Sequence, residues 1–316
     1  MRTANSEQRT ANSEQRTANS HNSALKILVC YYDSYGMPYT GDGIMLPIQA
    51  GKAIADYDLQ IQGDDALNGQ PCDNISSKNE SYSELTALYW AWKNLRKMYP
   101  DVKYVGWSHY RRFFAFDESR FLTDIIKKPK SAIADYRVNA KKVIKILESG
   151  RIIAVKRNFL ELPVCLQFMQ NHNSADYRTL EKVIKEKFSD YYETFWKFMK
   201  RSNKISLYCM FIMKYEDFEK YCEWLFAVLA EVEPLVPYQC YNSYQKRIFA
   251  FMTERLFNVY ILKNNLKPKY FNIYFYGDEA ESSNIFMRMG RFVYHLLRLC
   301  KHELTFRLLD LKRKHE

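Results

Sequence analysis

Residues 73–114 constrain the fold of this chain most, because a polar loop, a helix and a strand follow one another there. After Glu84, apolar side chains recur at three- and four-residue steps as far as Leu95, a spacing that predicts an amphipathic helix. Pro100 interrupts that pattern, and the apolar run 104–107 that follows predicts a short buried strand. A helix that leads into such a strand is typical of an α/β fold.

Basic side chains follow this predicted strand directly, at His109, Arg111 and Arg112. In open α/β sheets, ligands bind beyond the carboxyl ends of the strands, so these side chains are candidates for binding an anion. A second predicted strand, 151–155, also ends in cations, at Lys156 and Arg157. If the two strands lie side by side, all five groups could surround one phosphate-bearing ligand. The alternative is a basic turn on a basic protein.

Composition limits the kind of ligand. The chain has 316 residues, of which 47% are hydrophobic, so it can bury one large core. Its net charge of +11 is spread along the sequence, and no zinc-finger, RNP or GxxG nucleic-acid motif is present. The charge therefore indicates anionic small molecules or anionic lipid as partners, and no nucleic acid.

The cysteines and apolar runs predict a cytoplasmic protein. The seven cysteines form no CxxC pair and no metal-binding spacing, which favours reduced thiols. The apolar runs are shorter than the roughly twenty residues that cross a bilayer, and we find no signal-peptide pattern.

Three regions are expected along the chain. Residues 1–22 carry an RTANSEQ repeat without an apolar seam and are predicted to be a disordered tail. Residues 23–280 are predicted to form the folded domain. Residues 281–316 are predicted to form a basic amphipathic helical tail, which suits a peripheral position on the anionic inner face of the plasma membrane. Packing of that tail on the folded domain or on a partner chain is the alternative.

Glu254 is a candidate catalytic carboxylate, because apolar residues flank it in a predicted helix. A carboxylate in such surroundings is costly unless it is paired or used in chemistry. Arg255 or Arg247 could be a purely structural partner, and that alternative stays open. The neighbouring acids Asp64 and Asp65 are predicted to lie in a solvated turn.

Several motifs in a fixed order resemble one known family. They are DNISSKNESYSELTALYWAWKN, YVGWSHYRRFF, a strand followed by KRN, an Asn-His-Asn loop, an MFIM strand and TERLFNVYILKNN. Over residues 26–266 this order resembles the bacterial capsular and exopolysaccharide glycosyltransferase family that was first catalogued as a domain of unknown function. That family includes galactofuranosyltransferases. Departures at Tyr32-Asp33 and Cys209 concern donor or acceptor preference.

The resemblance implies a GT-A-like nucleotide-sugar-binding α/β fold, with a central mixed, mostly parallel sheet flanked by helices. It implies a UDP-sugar donor, with galactofuranose as the best guess, and a glycan or lipid-linked acceptor. The residues assigned on this basis are Asp73, Asn74, Lys78 and Glu84 for the nucleotide or sugar, and His172 and Asp176 for the acceptor or a supporting role.

Many GT-A enzymes hold a divalent metal with an Asp-x-Asp motif at a strand end, where this chain has Ser108-His109-Tyr110. We hypothesise that the five cationic groups at the two strand ends replace the metal, and that the reaction needs no cofactor. A divalent metal is not excluded. Inverting transfer requires a base, for which Glu254 is the candidate and Glu84 and Asp176 are rivals. The alternative function is a non-catalytic anion- or glycan-binding protein.

Overall fold

The computed structural model describes residues 21–120 and 123–278. The N-terminal repeat through residue 20 and the basic tail from residue 279 lie outside the described residues, so the predictions for both tails stay predictions. Within the described ranges, no helix combines the length and the apolar character needed to cross a lipid bilayer.

Runs of strands and runs of helices follow one another along the chain. The strands are β1 (Leu25–Tyr31), β2 (Met45–Gln49), β3 (Gln62–Gly63), β4 (Ala66–Leu67), β5 (Gln70–Pro71), β6 (Tyr104–His109), β7 (Arg112–Phe114), β8 (Ile125–Pro129), β9 (Arg151–Val155), β10 (Asn158–Phe159), β11 (Lys204–Ile205), β12 (Phe211–Lys214), β13 (Lys267–Phe271) and β14 (Ile273–Gly277). The α-helices are α1 (Asn79–Tyr82), α2 (Leu85–Met98), α3 (Ala140–Glu148), α4 (Val164–Asn171), α5 (Ser174–Lys187), α6 (Ser189–Arg201), α7 (Tyr215–Val232), α8 (Ser243–Lys246) and α9 (Ile248–Lys263). Short 3-10 helices occupy Lys52–Ile54, Ser76–Lys78, Lys130–Asp135, Glu233–Leu235 and Tyr238–Cys240.

The central sheet has the strand order β13-β9-β12-β6-β1-β2-β3. Its strands run parallel except β12, which is antiparallel to both of its neighbours. A smaller extension leaves this path, because β7 pairs with β6 and with β14, and β14 also pairs with β8. The predicted mixed, mostly parallel sheet is confirmed.

Helices cover both faces of the sheet. Leu28 and Cys30 of β1 pack with the larger core, which includes residues of α2, α7 and α9, whereas Ile27 and Val29 pack on the opposite face with α3. This alternation follows from the two-residue period of a strand. Gly106 of β6 is required by close packing, since a Cβ there would lie 2.7 Å from Ile27 and 3.1 Å from Ile212.

The elements differ from the sequence prediction in two places next to the cleft described below. The apolar run 207–213 predicts one strand. In the structure this strand begins only at Phe211, because Tyr208 and Cys209 have positive φ values of 67° and 51°. The sequence over 244–262 predicts one helix, which in the structure is divided into α8 and α9 at Arg247.

Candidate active site

A cleft of about 940 Å³ opens at the edge of the sheet where β1, β2 and β6 end. Because β12 is antiparallel, its amino-terminal end lies at the same edge and brings Leu207 and Tyr208 into the wall. The other walls come from the loop after β2, the turn between α1 and α2, and α8 with α9. This is the position that the strand-end rule predicts for a ligand.

Arg111 and Arg112 line the cleft from the hairpin between β6 and β7, and we call them the arginine pair. In residues 21–120 and 123–278, no carboxylate forms an ion pair with either guanidinium, and the Nε atom of each is buried without a hydrogen-bond partner. Aromatic rings are their neighbours: Arg111 lies 4.9 Å from the centre of the Phe275 ring, and Arg112 lies 4.7 Å from that of Tyr208. Burial lowers the pKa of Arg112, but a guanidinium stays protonated at neutral pH. The pair is therefore an uncompensated positive charge on the cleft.

His109 is buried and already uses one ring nitrogen. Its Nε2 lies 2.8 Å from the carbonyl oxygen of Tyr208, so Nε2 carries a hydrogen and donates it. Burial lowers the pKa of His109 below its ordinary 6.5, and Arg112 acts in the same direction against the opposing effect of Glu84. The ring is consequently neutral at neutral pH, with Nδ1 as an acceptor. A neutral His109 does not supply the positive charge that was expected from it for binding the donor diphosphate.

Tyr208 links His109 to Glu254 through its backbone. Its N–H donates to Glu254 Oε1 over 3.0 Å, while its carbonyl accepts from His109. The left-handed conformation of Tyr208 is uncommon for a bulky residue, and such strain clusters at functional sites. Ser206 and Asn258 stabilise this segment through two backbone-to-amide hydrogen bonds of 2.9 Å each.

Glu254 reaches the cleft from α9 and has an ion-pair partner. Its Oε2 accepts from Arg255 Nη1 over 2.9 Å, and 22% of its side chain remains exposed. Burial raises the pKa of Glu254 above its ordinary 4.5, although Arg255 opposes the change. The two interpretations from the sequence therefore coexist: Arg255 pairs with Glu254, and the carboxylate still lines the cleft.

The remaining cations of this wall are also paired. Arg247 Nη2 lies 3.7 Å from Glu84 Oε2, and Lys246 Nζ lies 3.0 Å from Glu80 Oε2. Together with Arg255, we call Lys246 and Arg247 the paired cations. Glu84 itself lines the cleft, which is the position needed for its predicted role in binding the nucleotide or sugar.

Lys156 and Arg157 do not join the arginine pair, because β12 separates β9 from β6 in the sheet. Lys156 Nζ donates to the carbonyl of Arg120 over 2.6 Å, and Arg157 lies 5.2 Å from the centre of the Tyr270 ring. Neither residue lines the cleft. The expected ring of five cations is reduced to two guanidinium groups.

The residues assigned to the nucleotide from the polar loop also lie elsewhere. Asp73 accepts a hydrogen bond from Tyr89, Asn74 donates to the carbonyls of Asp65 and Cys72, and Lys78 pairs with Glu233 at 2.7 Å. Within the described residues, each of these three side chains has a hydrogen-bond or ion-pair partner in the protein, and none of them lines the cleft.

The two residues assigned to the acceptor have different positions. Asp176 lies outside the cleft, is buried and accepts from the Tyr241 hydroxyl over 2.8 Å. His172 lines the cleft and stacks on Phe251, with 4.0 Å between ring centres. Burial lowers the pKa of His172 to about 4, so its ring is uncharged at neutral pH.

Asp64 is the supporting residue that the sequence interpretation missed. The prediction of a solvated turn is wrong, since Asp64 is fully buried. Its carboxylate accepts from the backbone N–H groups of Gly51 and Lys52 over 2.9 and 3.0 Å, and from the Ser76 hydroxyl. These bonds hold the cleft loop after β2. The glycine two residues after β2, Gly51 with φ of 68°, was the available signal for such a tight turn.

No three His, Cys, Asp or Glu side chains cluster in residues 21–120 and 123–278 in a way that could hold a metal ion.

Two comparisons with known proteins relate to this site. The sequence profile of a family described as a domain of unknown function (DUF4422) matches residues 26–265. The apo structure of the bifunctional glycosyltransferase WbbM is similar to this chain, with a TM-score of 0.65 and 25% sequence identity. The similarity covers 83% of this chain and 48% of the WbbM chain, so this chain spans about half of that protein's length. Among curated proteins, no match was found.

Proposed function

The chain belongs to the family described as a domain of unknown function (DUF4422), and from this membership and its cleft we propose that it is a glycosyltransferase. We propose that it moves a sugar, galactofuranose, from a UDP-sugar to a glycan or lipid-linked acceptor in surface polysaccharide synthesis. The similarity to WbbM supports the class of activity, because that protein is named a bifunctional glycosyltransferase. The sugar and the acceptor come from the family resemblance, and a peripheral membrane position comes from the predicted basic tail at residues 281–316.

One observation supports the proposal most strongly: among the residues that the structure describes, the arginine pair has no carboxylate partner, while a largely desolvated carboxylate lies in the same cleft. Uncompensated guanidinium groups are suited to bind phosphate through charge-assisted hydrogen bonds. A carboxylate with a raised pKa is suited to accept a proton near neutral pH. Inverting transfer from a nucleoside diphosphate sugar without a metal needs both groups in one site.

The proposed reaction inverts the configuration at the anomeric carbon of the transferred sugar. The acceptor hydroxyl oxygen attacks the anomeric carbon, and the bond from that carbon to the diphosphate oxygen breaks. The electron pair leaves with the diphosphate, whose developing charge the arginine pair stabilises. The hydroxyl proton passes to Glu254, which the Tyr208 N–H orients. His109 contributes by holding Tyr208.

We propose that the nucleotide lies against Tyr32 and Tyr57, on the β1 and β2 side of the cleft. Both rings line the cleft and are 54% and 41% exposed, so they offer flat surfaces on which a base can stack. Tyr32 is held next to Tyr110 by a 2.9 Å hydrogen bond between the two hydroxyls. Tyr110 immediately precedes the arginine pair, which brings this surface close to the proposed diphosphate position.

The test is the melting temperature of the full chain with UDP, UDP-galactofuranose, UDP-galactopyranose, UDP-glucose and ATP, with and without EDTA. A ligand at 100 times its Kd stabilises the folded state by about 2.7 kcal/mol, so donor binding is readily detected. We expect stabilisation by UDP and by one UDP-sugar in EDTA, followed by slow hydrolysis of that sugar. Stabilisation without turnover for every donor and acceptor would favour the non-catalytic alternative, and manganese-dependent transfer lost in EDTA would contradict the metal-independent mechanism.

A further inference from the structure

We propose that His172, Tyr244 and Phe251, which we call the acceptor wall, bind the terminal sugar of an uncharged oligosaccharide acceptor, and that the chain of this oligosaccharide continues into a neighbouring depression. This inference rests on the proposed function, since it names the substrate class of the same cleft.

Helix geometry relates the acceptor wall to Glu254. Phe251 precedes Glu254 by three residues on α9, so both side chains lie on one face of the helix. A general base must be within hydrogen-bond reach of the hydroxyl that it deprotonates. The sugar that carries this hydroxyl must therefore lie next to Glu254, and the other side chains of that helix that line the cleft are Phe251 and Arg255. Of these two, Phe251 offers an apolar face, whereas Arg255 is paired with Glu254.

The wall offers aromatic faces. His172 and Phe251 stack with 4.0 Å between their centres and 21° between their planes, and Tyr244 lies 5.1 Å from Phe251. Tyr244 is 55% exposed although it lines the cleft. Because the pKa of His172 is about 4, the stack carries no charge at neutral pH. Such a surface packs against the C–H face of a sugar ring and leaves its hydroxyls free.

The charges on this side favour an uncharged ligand. All three of the paired cations already contact carboxylates: Lys246 contacts Glu80, Arg247 contacts Glu84, and Arg255 contacts Glu254. An acidic sugar would have to compete with those carboxylates, whereas the arginine pair offers the diphosphate unpaired charge. The cleft thus separates an anionic donor from a neutral acceptor.

A second depression of about 400 Å³ lies next to the acceptor wall. Its lining includes Asn173, Tyr241, Asn242 and Gln245. Gln245 adjoins the acceptor wall, since its Oε1 lies 3.3 Å from His172 Nδ1 and its Nε2 donates to Asn171. Asn173, Tyr241 and Gln245 already donate hydrogen bonds to protein groups, but their oxygens keep acceptor capacity for sugar hydroxyls. The acceptor wall and this depression, which we together call the groove, can therefore contact more than one sugar of the acceptor.

The test is saturation-transfer NMR on the full chain, with galactose, mannose and glucose, their uncharged homotrisaccharides, and trigalacturonic acid as probes. We expect the trisaccharide of at least one of these sugars to bind more tightly than its monosaccharide, and trigalacturonic acid to bind more weakly than the uncharged trisaccharides. Tyr244→Ala should weaken trisaccharide binding about 3- to 10-fold, the range that aromatic contacts typically contribute. Tyr244→Phe should keep the binding of the wild type.

Tyr39→Ala is the matched control, because Tyr39 is 41% exposed but lies outside the cleft. The inference is overturned if no uncharged trisaccharide binds, if trigalacturonic acid binds best, or if Tyr244→Ala behaves like Tyr39→Ala. The stabilisation by UDP separates the two proposals. Trisaccharide binding that depends on Tyr244, without any UDP effect, would support the groove and contradict the transferase, whereas a UDP effect without such binding would contradict the groove alone.

Discussion

Both sides of the cleft carry cationic side chains, but in the part of the chain that the structure describes, carboxylates pair with the cations on one side only. Lys246, Arg247 and Arg255, the paired cations, each have a carboxylate within 4 Å. The arginine pair has aromatic neighbours and no carboxylate partner among the described residues. A buried or half-buried charge without a partner costs stability, so a protein gains from keeping one only where a ligand supplies the missing charge. The comparison therefore distinguishes cations that maintain the fold from cations available to bind a ligand.

The largest expected effect is that of Arg112→Gln. Removal of one preorganised donor to a developing negative charge typically costs about 100- to 1000-fold in rate. We expect kcat/KM for sugar transfer to fall within this range and the stabilisation by UDP to be largely lost. Steady-state kinetics and thermal unfolding with UDP measure the two effects. Unchanged UDP stabilisation would show that the unpaired charge of Arg112 has no ligand-binding role.

Glu254→Gln should lower kcat at least about 100-fold, because general base catalysis contributes about this much or more. Donor binding depends on the arginine pair, so the stabilisation by UDP should be that of the wild type. Glu84→Gln is the control on the rival carboxylate. Near-normal turnover of Glu254→Gln would exclude Glu254 as the base.

Stability should respond in opposite ways to the loss of a paired and an unpaired cation. Arg255→Met leaves the Glu254 carboxylate without its partner and should lower the free energy of unfolding by about 2 kcal/mol, since part of Glu254 stays in contact with solvent. Arg112→Met removes an uncompensated charge and should leave the free energy of unfolding unchanged or higher. Urea unfolding without ligand measures both. Equal destabilisation by the two substitutions would contradict the distinction.

The pH dependence of activity should show the raised pKa of Glu254. The base acts as a carboxylate, so kcat/KM should fall about tenfold per pH unit below this pKa, which lies above 4.5. Between the pKa of Glu254 in the unfolded state and its raised pKa in the folded state, the folded state binds more protons. The contribution of Glu254 to the free energy of unfolding therefore decreases as pH rises through this range. Arg255→Met should move this fall of kcat/KM, the acidic limb of the pH profile, to higher pH. The shift should be larger than that caused by Arg112→Gln, because Arg255 lowers the pKa of Glu254 more strongly than Arg112 does. A limb that neither variant moves would contradict the assignment to Glu254.

The smallest effect is expected for Arg247→Gln. Arg247 is 46% exposed, and exposed ion pairs contribute about 0–1 kcal/mol. We expect less than about a tenfold loss of kcat/KM, with the full stabilisation by UDP retained. A loss of UDP binding as large as that of Arg112→Gln would remove the difference between the two groups of cations.

The sequence predicted the position of the arginine pair because that position depends on local pattern. A strand of apolar residues followed directly by basic ones locates the ligand edge of an α/β sheet, and β6 with Arg111 and Arg112 follows this rule. Lys156 and Arg157 follow the same local pattern at the end of β9, yet β12 lies between the two strands. Strand order depends on pairing between residues far apart in sequence, which the local pattern does not contain.

The state of His109 and the burial of Asp64 also depend on distant partners. His109 is neutral because burial lowers its pKa, and the carbonyl of Tyr208 determines that Nε2 carries the ring hydrogen. Asp64 is buried because its carboxylate satisfies the N–H groups of a loop that precedes it in the sequence. In both cases the residue type was visible in the sequence, while its hydrogen-bond partners were defined only by the fold.

A crystal structure of the chain with UDP tests the central claim most directly. We predict that diphosphate oxygens lie within about 2.7–3.2 Å of guanidinium nitrogens of Arg111 or Arg112, the range of direct hydrogen bonds. A diphosphate bound at Lys156 and Arg157, or at the paired cations, with the arginine pair still free of contacts, would contradict the account.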